Sequence, residues 1–137
     1  MLFNENNFRD ILDDLSLTFR RAAPGVFVMG YHFDQVELNC NLMFIVEDGL
    51  IKAFATIPGF GASVSRDAKV ERCNRWNREK ALPKAYVDDD GDVMLQISQV
   101  NDETLDPEYV KVKFVVLSIA MFKSFYEEFA PFVKENS

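Results

Sequence analysis

Histidine and cysteine are scarce in this sequence, which has one histidine and two cysteines among 137 residues. Cys40 and Cys73 lie far outside the close spacing of metal-binding or redox cysteine pairs. His32 stands in a run of aromatic residues with no Cys-His or Ser-His pattern nearby. We therefore expect no catalytic site, no metal and no cofactor, and an enzyme is the least favoured of the functions that we consider.

Basic residues are also outnumbered, with 15 Lys and Arg against 22 Asp and Glu and a formal net charge of −7. Binding to nucleic acid depends on Lys and Arg side chains that displace counterions from the phosphates. Basic residues recur between positions 66 and 80, where we expect them to form the solvated face of a helix. The charge balance therefore predicts no nucleic-acid partner.

Long apolar runs are missing too. The longest nearly unbroken one, from Phe114 to Phe122, is about half of the ~20 residues that a helix needs to cross a bilayer. The polar start, Asn4 to Asn7, has neither the basic nor the apolar region of a secretory signal. We expect a cytoplasmic protein that has no membrane partner.

Apolar residues are abundant overall. The chain is 48% hydrophobic and contains 13 Phe, which favours a packed core over a disordered chain. A chain of this length is typical of one domain with one core. We therefore expect residues 1–137 to form a single domain.

The first half of the chain predicts one helix and three strands. Apolar residues recur at helical spacing from Phe8 to Phe19, and Arg20 and Arg21 follow where they would oppose the negative end of the helix dipole. Pro24 and the glycine after it would end this helix. Alternating and β-branched residues then predict antiparallel strands over residues 26–33, 36–46 and 50–57.

The second half predicts a helix, a hairpin and a last helix. Ser65 can cap a helix that Pro83 prevents from continuing, and strands over residues 85–88 and 92–100 flank an Asp-Asp-Gly turn. Asp106 and Pro107 predict the start of a helix that runs to about Lys134. The β-branched residues 109–116 also fit a strand, although the downstream helical repeat favours a helix.

The helix end and the hairpin carry a recognisable order of residues: Asn74, Trp76 and Asn77, then Pro83 and Tyr86, then the acidic turn. This order resembles the core signature of the YbjN-like family of bacterial sensory-transduction regulators. The resemblance implies an α+β fold like that of type III secretion chaperones, in the order α-β-β-β-α-β-β-α, with an antiparallel sheet packed against helices. It implies no known chemistry.

The signature also has a physical interpretation. Asn74 and Asn77 lie three residues apart on one helical face, where their side-chain amides could bind the backbone that enters the hairpin. Trp76 would anchor the packing nearby, and Tyr86 lies in the first strand of the hairpin. A structural clasp is favoured over a binding site, because amides at element ends commonly satisfy unpaired backbone groups.

Two features suggest contact surfaces. The last helix carries an apolar band so wide that it predicts burial on two sides, with Phe114, Met121 and Phe125 facing a second copy of the chain or another helix. A central helix in a monomer would explain the band almost as well. Phe60 lies between two glycines in a loop, where it could anchor a partner or fold back onto the core.

These observations favour a dimeric, non-enzymatic protein-interaction module. Such a module would bind a segment of a partner protein on its sheet surface or on an open strand edge, as the chaperone-like fold permits. The alternative is a small-ligand sensor with a pocket between the sheet and the last helix, lined by Phe122 and Tyr126.

Overall fold

The structure, a computed structural model, describes residues 1–137 and begins with helix α1 at Glu5–Asp14. Asn4 caps this helix, because its side chain accepts a hydrogen bond from the Asn7 backbone N–H at 2.9 Å. The helix is shorter than the sequence predicts. Arg20 and Arg21 do not lie at its end but form an additional strand, in which Arg21 pairs with Glu5 of α1.

One antiparallel sheet of six strands forms the main layer. The strands are β1 Arg20–Ala23, β2 Val26–Phe33, β3 Leu38–Val46, β4 Gly49–Thr56, β5 Lys84–Val87 and β6 Val93–Asn101. They lie side by side in the order β1-β2-β3-β4-β6-β5. The predicted α+β class with an antiparallel sheet is confirmed, but the prediction of five strands is wrong, because residues 20–23 pair with β2 as a sixth strand and do not end the first helix. The observed order is α-β-β-β-β-α-β-β-α.

Two further helices follow the first four strands. Helix α2 spans Arg66–Glu79, and its N-cap Ser65 accepts a hydrogen bond from the Ala68 backbone N–H. The last helix, α3, comprises an α-helical turn at Pro107–Tyr109, a π-helical stretch at Val110–Val116 and an α-helix at Leu117–Asn136. Residues 109–116, which fit either a helix or a strand in the sequence analysis, are therefore helical.

Helices α1 and α3 lie on one face of the sheet, and α2 packs against α3 and the edge strand β5. Phe8 of α1 packs on Phe27 and Phe44 of the sheet, with ring centroids 5.9 and 5.8 Å apart. Tyr126 of α3 packs on Phe33 at 5.9 Å. The core fills the space between this face and the helices. None of the helices is both long and apolar enough to span a membrane.

Candidate functional site

The signature residues join α2 to strand β5. The indole Nε1 of Trp76 donates a hydrogen bond to the Pro83 carbonyl at 2.9 Å, and the ring packs edge-on against Phe125 at 5.1 Å. Asn77 donates from Nδ2 to the Ala85 carbonyl at 2.8 Å and accepts from the Ala85 backbone N–H at 2.9 Å. The side chain of Asn77 thus satisfies both backbone groups of one strand residue.

These two hydrogen bonds also close an edge of the sheet, because Ala85 lies in its last strand. A residue in an antiparallel strand points its N–H and C=O to the same side. Because both groups of Ala85 bind Asn77, they face away from β6, and β5 is the last strand on this side of the sheet. The amide of Asn77 therefore takes the place that the peptide group of a seventh strand would take, and α2 closes this edge.

The other two signature residues lie outside this clasp. Asn74 is exposed and takes no part in the hydrogen bonds to the hairpin, so the prediction that both amides bind there is wrong for Asn74. Trp76 and Asn77 bind the strand that enters the hairpin, whereas Arg66 and Lys69, near the start of α2, donate to backbone carbonyls of its turn, those of Asp88 and Gly91. Tyr86 is half-buried on β5, with the Lys84 ammonium 5.5 Å from the centre of its ring.

The second face of the sheet carries no helix. Residues directly opposite each other in paired strands lie on the same face, and the strand register places one row across the whole sheet: Arg20, Val28, Met43, Phe54, Gln96 and Lys84. The middle of this row is apolar, and Met94 lies beside it. A groove of about 560 Å³ opens here, with Val28, Met43, Phe54 and Met94 in its lining. We call this surface the outer face.

The outer face explains the apolar run Leu42 to Val46 in β3. Leu42 and Phe44 are buried in the core, whereas Met43 and Ile45 alternate with them and lie half-buried on the outer face. The sequence shows that both sides of this strand are apolar. It does not show that one side is left without a covering layer.

The charges of the outer face are basic. Arg20 and Lys84 lie at the two ends of the central row, and Lys52 lies on β4 opposite Ile45. No Asp or Glu occupies a strand position on this face. Glu47, just beyond the end of β3, pairs with Lys52 at 3.2 Å, whereas Arg20 and Lys84 form no salt bridge.

Most of the residues predicted to form a partner or dimer surface pack into the hydrophobic core. Phe114 and Phe125 are 3% and 1% exposed, so the prediction that they form a surface is wrong. Phe60 folds back onto Phe129, with ring centroids 5.8 Å apart, and Met121 is half-buried. The sheet, α1 and α2 together cover most of the apolar band of α3. The large apolar side chains that α3 leaves exposed are Tyr109, Val112, Val116 and Leu117.

No pocket opens at the place predicted for a small ligand. Phe122 and Tyr126 fill the space between the sheet and α3 and are 0% and 1% exposed. Burial raises the pKa of the Tyr126 hydroxyl well above its usual value. A groove of about 310 Å³ at the margin of this layer is lined by Tyr31, Ile119 and four other apolar residues, and by neither Phe122 nor Tyr126. It offers no convergent polar groups to orient a ligand.

The two thiols are buried as well. Burial raises the pKa of Cys40 to about 12 and that of Cys73 to about 11. Both thiols therefore stay protonated near neutral pH, and a protonated thiol is a poor nucleophile and a poor metal ligand. No three His, Cys, Asp or Glu side chains lie close enough together to hold a metal ion.

The fold and the clasp define a class: an α+β domain whose last strand edge is closed by a helix and whose second sheet face is open. The family model of YbjN, described as "Putative bacterial sensory transduction regulator", matches residues 8–131. The chain therefore belongs to the YbjN family. The crystal structure of YbjN from E. coli, described as "a putative transcription regulator", is similar with a TM-score of 0.65 and 17% identity, over 90% of each chain. Among curated proteins, no match is found.

Proposed function

We propose that this protein is a non-enzymatic interaction module, a sensory-transduction regulator that acts by binding a segment of a partner protein on its outer face. Membership of a family described as regulators supports this function over catalysis. The chaperone-like mode of binding and the cytoplasm as its location belong to the same proposal.

The uncovered apolar row is the observation that supports this proposal most directly. Val28, Met43 and Phe54 lie side by side on three neighbouring strands and line one groove. Contiguous apolar surface that no helix covers is typical of protein–protein interaction sites. A partner that covers these side chains would remove apolar area from water, which favours binding.

The two edges of the sheet are poorly suited to binding, which favours the outer face as the binding site. The outward N–H and C=O of Ala85 in β5 are already bound by Asn77. The other edge strand, β1, has only four residues, starts with Arg20 and Arg21 and contains a register shift. Short, charged and irregular edges resist the addition of another strand.

The experiment is affinity capture from cells of the source organism, followed by mass spectrometry and by binding of the purified partner. The outer-face variant is Phe54→Ser, and the matched control is Val70→Ser, which changes an exposed apolar residue on α2. We expect a partner that binds the wild type and the control but not the Phe54 variant. Equal capture by all three proteins, each with an unchanged circular dichroism spectrum, would contradict the proposal.

We propose in addition that the protein is a homodimer, which forms through the exposed apolar side of α3 rather than through Phe114 or Phe125. Tyr109, Val112 and Val116 are 47%, 40% and 44% exposed and follow one another along the helix. Light scattering should give twice the chain mass of 15.7 kDa at micromolar concentration. The Val116→Glu variant should give the mass of one chain. A wild-type protein with the mass of one chain would refute the dimer.

A further inference from the structure

We propose that the outer face takes an acidic amphipathic helix of the partner protein. The apolar side of this helix lies on Val28, Met43 and Phe54, and its carboxylates face Arg20 and Lys84. This inference rests on the proposed function, since it specifies what occupies the same surface.

The distribution of charge is the first argument. The chain has more acidic than basic residues, with a net charge of −7, yet the strand positions of the outer face carry Arg20, Lys52 and Lys84 and no acid. Only Lys52 has an acidic neighbour, Glu47, at the margin. Complementary charge steers a partner and rejects partners of the wrong sign. An acidic segment matches this surface, and a basic one does not.

The same charges disfavour a second copy of this chain as the occupant. In a symmetric dimer each copy contributes the same patch. Two outer faces packed together would bring the basic residues of one copy, among them Arg20 and Lys84, near those of the other, and the strand positions of neither face carry an acid. Such a contact would repel.

The backbone of the sheet is the second argument, because it decides the conformation of the bound segment. The strands under the groove, β2, β3, β4 and β6, are each paired on both sides. The outer face therefore offers side chains but no free backbone donors or acceptors. A segment that buries its backbone here must satisfy its own N–H and C=O groups, which a helix does and a single extended strand does not.

The dimensions agree with a helix across the strands. Arg20 and Lys84 lie on strands five spacings apart, which is about 24 Å at ~4.8 Å per spacing. A helix rises 1.5 Å per residue, so a segment of roughly 16 residues covers this span. The flexible side chains of Met43 and Met94 can adapt to an apolar helix surface.

The test uses two synthetic helices of 16 residues with the same leucine face. One carries glutamate on its polar face and the other carries lysine, and each has a fluorophore for anisotropy measurements. We expect the glutamate peptide to bind the wild-type protein at least about tenfold more tightly than the lysine peptide. The difference should shrink in 0.5 M salt, because salt screens exposed charges.

A charge-swap variant and a matched control locate the binding. The double variant Arg20→Glu, Lys84→Glu should reverse the preference toward the lysine peptide. The double variant Lys113→Glu, Lys134→Glu changes the net charge equally but lies on α3, and it should keep the wild-type preference. Phe54→Ser should weaken the binding of both peptides, since it removes an apolar contact that they share.

Each other result overturns the inference. Equal affinity for the two peptides, lost in Phe54→Ser, would refute the acidic occupant and leave the outer face as a binding surface. A glutamate preference that survives the charge swap would place the binding elsewhere on the chain. Binding of neither peptide at millimolar concentration would refute the helix, and the capture experiment then decides separately whether the outer face binds any partner.

Discussion

The hydrogen bonds of Asn77 to strand β5 can be tested with two substitutions on the same helix. Asn77→Ala removes the amide that binds both backbone groups of Ala85, a residue that is 2% exposed. Asn74→Ala removes the same side chain three residues earlier, where it is exposed and takes no part in the clasp. The two variants make the same substitution on the same helix, and only the one at Asn77 removes hydrogen bonds to the hairpin.

The expected cost follows from the contacts. Two hydrogen bonds contribute about 1 kcal/mol each, and leaving the buried groups of Ala85 unpaired adds roughly 1 kcal/mol or more. Alanine is a better helix former than asparagine, and this difference stabilises both variants by about 0.5 kcal/mol. Asn77→Ala should therefore lower the free energy of unfolding by about 2–3 kcal/mol. Asn74→Ala should leave it unchanged or raise it by up to about 0.5 kcal/mol.

Urea unfolding, followed by the fluorescence of the single Trp76, measures both free energies. Hydrogen exchange adds a local measurement, because the Ala85 amide should exchange faster in Asn77→Ala while amides of β3 do not change beyond the global effect. The variant should also aggregate sooner, since its β5 edge becomes open to pairing. Equal stabilities of the two variants, with Ala85 still protected, would refute the closed edge.

Two further predictions concern the core and its turns. Gly25→Ala should destabilise by about 2–4 kcal/mol in urea unfolding, because Gly25 has φ +72° and a Cβ there would lie 2.7 Å from the Val46 carbonyl oxygen. Gly49→Ala, at φ +85° with open space around it, should cost only about 1 kcal/mol, and equal losses would contradict the steric argument. Cys40 and Cys73 are buried with raised pKa values, so neither should react with a thiol reagent at pH 8 until urea unfolds the chain. Rapid labelling of the native protein would show that the core opens.

Local chemistry made part of the fold predictable from the sequence. Asp106 and Pro107 begin α3 as predicted, since the Asp106 carboxylate accepts a hydrogen bond from the Glu108 N–H at 2.8 Å. The sequence pattern wrongly places Arg20 and Arg21 at a helix end, because the short strand that they form is stabilised by pairing with β2 rather than by any local signal. The role of Asn101 is not predictable from the sequence either. Its side chain binds the backbone N–H and C=O of Phe3, 98 positions away, and no pattern in the sequence joins the two.

The contact surfaces were harder to predict, because burial depends on what the other elements cover. The apolar band of α3 is real, but most of it faces inward, as at Phe114 and Phe125. The exposed large apolar side chains lie at its margin: Tyr109, Val112, Val116 and Leu117. The π-helical stretch Val110–Val116 also shifts which positions share a side, and helical spacing alone does not reveal such a stretch. The sequence predicts binding on the sheet surface or on an open strand edge, but not which side of the sheet is uncovered, because an alternating strand shows two kinds of side chain and not which layers exist.

The closed edge and the open face have one physical consequence together. A sheet that displays apolar side chains beside an unpaired strand edge would attract strands of any exposed chain, since backbone pairing does not depend on sequence. Asn77 removes that option at β5, and the short β1 limits it at the other edge. The side chains of the outer face remain accessible. Binding to them, unlike backbone pairing, depends on the shape and charge of the partner. Under the proposed function, the amide that stabilises the hairpin therefore also favours selective binding over general strand pairing.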